Sequence, residues 1–140
     1  MSTAKQIALD FLARMNAGDL AGAAAVMAED SIHHAALPEA QGRAGFQRIA
    51  GKLRAAFPDL HHAIEDVLVD GDKVVLRVTL TGTHTGALDM IRLALPATGK
   101  QVRYEQIHIL RVAAGHIVES WMALDIMAML RQLGLKVVAA

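Results

Sequence analysis

Near Pro58 the hydrophobic period of this chain changes from that of a helix to that of a strand, so two kinds of layer must share one core. In the first part, Thr3 with Gln6 three positions later fits a capping box. Ile7, Phe11 and Met15 then recur at helical spacing until Asn16-Ala17-Gly18 ends the run. Asp19 is placed to cap a second, alanine-rich helix reaching about Ala28, and Asp30 to Ala35 reads as a short strand. Gln41-Gly42 precedes a third helix in which Phe46, Ile49, Leu53 and Phe57 form one stripe, and Pro58 stops it. Beyond Pro58 the spacing predicts strands over His61–Val69, Lys73–His84, Gln101–Val112 and His116–Leu124. Turn residues at Asp70-Gly71 and Ala114-Gly115 join them as antiparallel hairpins. A short helix from Ile126 to Gly134 follows, so the expected class is α+β: a curved antiparallel sheet packed on N-terminal helices.

A chain of 140 residues is about the size of one ordinary domain, and a single domain over 1–140 is expected. Apolar residues make up 54% of it but never run uninterrupted for the roughly 18 residues of a membrane span. The N-terminal residues Met1 to Gln6 carry no secretory signal, so a cytoplasmic protein is expected. Without cysteine there is no disulfide framework and no thiolate chemistry. Lys plus Arg equals Asp plus Glu at 14 each, so no basic excess points to nucleic acid or to an anionic membrane. The expected partner is a small, largely apolar molecule or another copy of the chain.

Titratable groups are set into the apolar strands. On Lys73–His84, Val74, Leu76, Val78 and Leu80 share the buried face with His84. On the next long strand Tyr104, Gln106 and His108 alternate with charged and aliphatic residues, so Gln106 and His108 point the same way. Facing a cavity, a neutral imidazole and an amide make an acid/base site in a low-dielectric environment; packed in a core, His108 merely bonds a backbone carbonyl. Asp125 precedes Ile126, Met129, Leu130 and Leu133, so it fits a helix N-cap as well as a nearby carboxylate. Trp121 reads either as core or as a flat wall for a ring-bearing ligand. His33–His34 and His61–His62 are adjacent pairs on strands, so neither pair can chelate one ion, and no spacing matches a zinc motif. A site using one inward member of each pair with His84 and His108 is geometrically conceivable, but no metal is expected. Gly82-Thr-His-Thr-Gly86 lies in strand-to-loop sequence rather than before a helix, so it is not a phosphate cradle.

Six segments together resemble the SnoaL-like polyketide cyclases, or ester cyclases, in the superfamily that includes ketosteroid isomerase and nuclear transport factor 2. They are Asn16-Ala-Gly-Asp19, Ala55-Ala-Phe-Pro-Asp59, Gly82-Thr-His-Thr-Gly86, Glu105-Gln-Ile-His-Ile-Leu-Arg-Val112, Gly115-His-Ile-Val-Glu119 and Leu130-Arg-Gln-Leu-Gly134. The resemblance implies a cone-shaped barrel with an internal pocket, a homodimer or higher homo-oligomer built on the outer sheet face, and no cofactor. It also implies ring closure of a polyketide ester by an intramolecular aldol step. The family's pocket glutamine and histidine fall on Gln106 and His108, and its polar position on the first strand falls on His33. The cyclases' acid/base aspartate falls on Met122; Asp125 matches a second aspartate at the start of the last helix. A thioether cannot exchange protons, so a cyclase-type reaction would fall to His108 or Asp125. The expected catalytic set is therefore His108, Gln106 and Asp125, and the expected substrate contacts are His33, His84, Tyr104, Trp121 and Met122. The alternative is a protein that binds a hydrophobic small molecule without turning it over. The stretch 87–99 is longer than in the cyclases, and its Leu88, Met90, Ile91, Leu93 and Leu95 suit a lid or a partner contact.

Overall fold

Thr3 opens helix α1 (Ala4–Asn16) with the expected capping box: its Oγ1 accepts from the Gln6 N–H at 3.1 Å and its own N–H donates to Gln6 Oε1 at 2.8 Å. Asp19 caps α2 by accepting from the Gly22 N–H at 2.9 Å. That helix is only Leu20–Ala25, shorter than its alanine content suggests, because strand β1 (Met27–His34) begins almost at once. Met27 is buried in the core, and Val26 already accepts a hydrogen bond from the Ile117 N–H at 2.9 Å. Sheet pairing here outweighs helix propensity, which is worth only tenths of a kcal/mol per residue. A tight turn at Pro38–Ala40 leads into α3 (Gly42–Ala56), which ends at Phe57 before Pro58. This computed structural model describes residues 2–34, 37–90, 92–136 and 138–139. Ala35 of the expected first strand and Ile91 of the expected apolar loop lie outside them.

The remaining elements are β2 (His61–Asp70), β3 (Lys73–Thr83), β4 (Leu88–Met90), β5 (Leu93–Leu95), β6 (Gln101–Ala113), β7 (His116–Leu124) and α4 (Ile126–Gln132). Five strands form one sheet in the order β1-β7-β6-β3-β2. The β2–β3, β3–β6 and β6–β7 pairs are antiparallel, as the hairpin turns require. At the last turn both Ala114 and Gly115 have positive φ, the geometry that matches a two-residue hairpin to strand twist. Strand β1, however, runs parallel to β7. The sheet is thus mixed rather than wholly antiparallel, and β1 and β2 remain its edges, so the expected barrel is an open curved sheet.

One face of that sheet is covered. Val74, Leu76, Val78 and Leu80 of β3 are buried with Phe11, Leu12 and Met15 of α1, each large side chain contributing roughly 1.5–3 kcal/mol by leaving water. β4 and β5 form a separate hairpin that lies against α3, with Leu88 fully buried. Within the stretch 87–99, Leu88–Met90 and Leu93–Leu95 are therefore paired strands rather than loop. At the other end α4 is tied to β6 by Gln132, whose amide accepts from the Arg103 N–H at 2.6 Å and donates to the Arg103 carbonyl at 2.8 Å.

Candidate active site

Between the inner sheet face and the helices lies a cavity of about 570 Å³, within the range of small-molecule sites. Phe11, Leu12 and Met15 of α1, Phe46, Ile49 and Leu53 of α3, Leu88 and Met90 of the hairpin, and Ile126 and Met129 of α4 supply its apolar walls. The sheet supplies polar groups: His33, His62, Tyr104, Gln106, His108 and Ser120. Strand alternation brings Tyr104, Gln106 and His108 of β6 to this face, with Gln106 opposite Val78 and Leu124, and His108 opposite Leu76 and Met122.

Two of these groups are incompletely satisfied. Gln106 is buried, and its Oε1 has no partner among the described residues. Its Nε2–H is turned toward Met122 Sδ, a weak acceptor. His108 lines the cavity and is half-buried as a residue, and its Nε2 is buried and likewise unpartnered. Desolvation, reinforced by the nearby His62, pushes the His108 pKa down to about 3, so the ring is neutral at pH 7. Unpaired buried polar atoms cost on the order of 1–3 kcal/mol each, and a ligand that pairs them recovers that cost.

His62 was not among the residues expected here. Asn16, the last residue of α1, clamps its backbone by donating to the His62 carbonyl at 3.0 Å and accepting from the His62 N–H at 2.7 Å. Opposite Leu80, the ring is buried, and desolvation with His61 and Arg54 nearby lowers its pKa to about 4. Burial moves Tyr104 the other way, to about 12, so its hydroxyl stays protonated and available as a donor.

His33 is held differently, with a partner on each ring nitrogen. Nδ1 lies 2.7 Å from Ser120 Oγ and Nε2 lies 2.9 Å from Ser31 Oγ. Gln41 fixes its backbone, accepting from the His33 N–H at 2.8 Å and donating to the His33 carbonyl at 2.7 Å. Desolvation lowers this pKa too. Among the described residues that line the cavity there is no Asp, Glu, Lys or Arg. No group of three or more His, Asp or Glu among the described residues is arranged to hold a metal ion.

Residues 5–133 match the family described as SnoaL-like polyketide cyclase. The chain belongs to that family. Among its relatives, the aklanonic acid methyl ester cyclase DnrD of Streptomyces peucetius is 33% identical over 98 residues, covering 69% of this chain and 65% of DnrD. The cyclase of the same name DauD, from Streptomyces sp. (strain C5), is 32% identical over 99 residues, covering 69% of this chain and 58% of DauD. The matches therefore span less than two thirds of either relative. TsrD from Streptomyces laurentii has the same fold, with a TM-score of 0.80 at 26% identity over 93% of both chains.

In this SnoaL-like chain, five of the expected residues, His33, Tyr104, Gln106, His108 and Met122, line the cavity. His84, Trp121 and Asp125 do not. Trp121 and Met122 are consecutive on β7, so they cannot share a face, and it is Met122 that points inward. Trp121 instead stacks on His34 with ring centroids 5.0 Å apart, and Lys73 Nζ lies 5.4 Å from its ring. His84 follows the end of β3 and is wholly buried against Phe57. Its Nδ1 accepts from the Thr98 N–H at 3.2 Å, a structural bond across the base of the β4–β5 hairpin. Asp125 is exposed and accepts from the Ala128 N–H at 3.0 Å as the cap of α4.

Proposed function

We propose that this SnoaL-like protein is a cofactor-independent, cyclase-type enzyme that closes a ring in a neutral, largely apolar polyketide-type ester. The observation that carries this reading is the pair of unpartnered buried atoms, Gln106 Oε1 and His108 Nε2, two residues apart on one strand of a largely apolar cavity. In an intramolecular aldol step a carbon-bound proton leaves, the enolate carbon attacks a carbonyl in the same molecule, and the new alkoxide takes the proton back. The protein must hold the chain folded and supply donors where oxygen becomes negative. A neutral His108 and a protonated Tyr104 supply such donors, and Gln106 Oε1 calls for a hydroxyl or enol on the ligand. The uncharged lining favours an ester over a free carboxylate, since a buried unpaired charge is costly.

The test is incubation with aklanonic acid methyl ester, the compound for which the relatives are named. The expected product has unchanged mass and one more ring. His108→Ala is expected to lower kcat by about 100-fold or more, the usual cost of losing one oxyanion donor. Full turnover by that variant would remove His108 from the mechanism.

The absence of a carboxylate from the described cavity lining, with Met122 opposite His108, favours a second reading as a binding protein. Recovery of the ester unaltered after long incubation with saturating protein would support it. In either case the outer sheet face, where Ile32 and Ile107 are exposed, is proposed to bury itself against a second copy of the chain.

A further inference from the structure

A cyclase-type reaction needs a group that accepts the carbon-bound proton and can bear the resulting charge. The candidates among the described cavity residues are few. Tyr104 is a donor at neutral pH. His108 Nε2 has no partner among the described residues to share the charge of an imidazolium, and His62 is buried close to Arg54, whose charge opposes a second positive group. His34 is at the exposed rim, where its Nε2 already meets Glu119 Oε2 at 2.6 Å.

His33 alone among the inward-facing imidazoles has an oxygen within hydrogen-bond distance of both ring nitrogens. Both oxygens are hydroxyls. A hydroxyl donates to a bare ring nitrogen and, after rotating, accepts from a protonated one, so the same geometry serves the neutral ring and the imidazolium. Ser120 lines the cavity, whereas Ser31 is buried behind it. The three side chains thus form a line from the cavity into the protein, and the ring of Phe46 covers His33 at 6.2 Å.

We propose that the Ser120–His33–Ser31 chain is the proton carrier of this site, with His33 as the acceptor in place of a carboxylate. This rests on the acid/base reading above. The carbon–hydrogen bond of the ligand breaks and its electron pair stays on the ligand as the enolate. Its proton passes to Ser120 Oγ as the Ser120 hydroxyl proton passes to His33 Nδ1. The imidazolium keeps its Nε2–H donated to Ser31 Oγ, and the chain runs in reverse to protonate the alkoxide once the new carbon–carbon bond has formed.

The experiment uses the full chain and methyl 3-oxo-3-phenylpropanoate, a neutral aryl β-keto ester that cannot cyclise. Exchange of its methylene protons in D2O is followed by NMR, and its affinity is measured separately by calorimetry. The wild-type protein is expected to accelerate exchange at saturation. His33→Gln keeps an amide between the serines but accepts no proton; it is expected to return exchange to the buffer rate with affinity changed by less than about threefold. Ser31→Ala, clear of the cavity, is expected to slow exchange about tenfold at unchanged affinity, a modest share of the 10²–10⁴ usual for acid/base groups. A merely structural role would lower affinity and melting temperature together and would not separate rate from binding. Wild-type exchange rates in His33→Gln would overturn the proposal, and so would wild-type rates in Ser31→Ala should the first variant not fold. A wild-type protein that binds the ester but does not accelerate exchange would instead sink the acid/base reading on which the proposal stands.

Discussion

Burial lowers the pKa of His62 to about 4 and of His108 to about 3, from an ordinary value of 6.5, so each is held neutral in the folded protein. Once unfolded, both regain that ordinary value. As pH falls below about 6.5 the unfolded chain takes up protons that the native state refuses, and stability falls by up to about 1.4 kcal/mol per pH unit for each residue. The loss from His62 ends near pH 4 and that from His108 near pH 3, and neither contributes a slope above pH 7. Urea denaturation between pH 7 and pH 4.5 is expected to show this decline, and His62→Gln to show a shallower one. An unchanged slope in that variant would mean that His62 is hydrated in the folded protein. His62 is also the site residue that eluded sequence reasoning, for a geometric reason. Counting back from the Asp70-Gly71 turn sets Ala63, not His62, opposite Leu80. A bulge between Ile64 and Asp66 shifts the register by one and reverses which face each residue meets. Gln106 and His108 were legible because β6 runs through them without interruption, paired residue for residue with β3. The Ser31–His33–Ser120 chain was not, since Ser120 reaches His33 only through a strand pairing of residues 87 positions apart.

At the scale of the element, α4 separates two roles that Asp125 could hold. Its carboxylate caps the helix through Ala128, and its own N–H donates to the Glu105 carbonyl at 3.0 Å, so the residue anchors the helix to β6. Asp125→Ala is expected to cost about 1 kcal/mol of stability, the usual loss of a cap. It is expected to leave the proposed cyclase-type turnover at the wild-type rate, measured below the melting transition, because the side chain is outside the cavity. A large fall in kcat without a change in melting temperature would return Asp125 to the mechanism. Elements with strong local signals were readable in the sequence: the capping box of α1, the stop at Pro58, and the period-two strands β2, β3, β6 and β7, whose ends fall within a residue or so of expectation. β1 was only half readable. Its first residues, Met27-Ala28, continue an alanine-rich helical pattern, and only the parallel partner β7, distant in sequence, draws them into the sheet.

In the whole molecule both faces of the sheet carry apolar side chains, but only one is covered. The inner face closes on the helices and the cavity; on the outer face of β6 and β1, Ile107 is 46% and Ile32 53% exposed, and Ile109 and Trp121 are half-buried between them. An antiparallel sheet of a monomer usually turns a polar face to water. Here the polar groups are arranged among themselves: Arg111 donates to Glu119 at 2.9 Å, and Glu119 also meets His34. Those contacts lower the cost of drying the surface, since the charges are already paired. A symmetric dimer across this face, as proposed above, would bury the isoleucines of both copies. Light scattering after size exclusion is therefore expected to give twice the 15.0 kDa chain mass at micromolar concentration. Ile107→Glu sets a carboxylate at the centre of the face, opposed by its symmetry mate or by a buried apolar neighbour, and is expected to yield the monomer. Its side chain points away from the cavity, so exchange of the β-keto ester should persist in that monomer. Wild-type protein that remains monomeric would show that the outer face is solvated, and loss of exchange on dissociation would show that the cavity depends on the second copy.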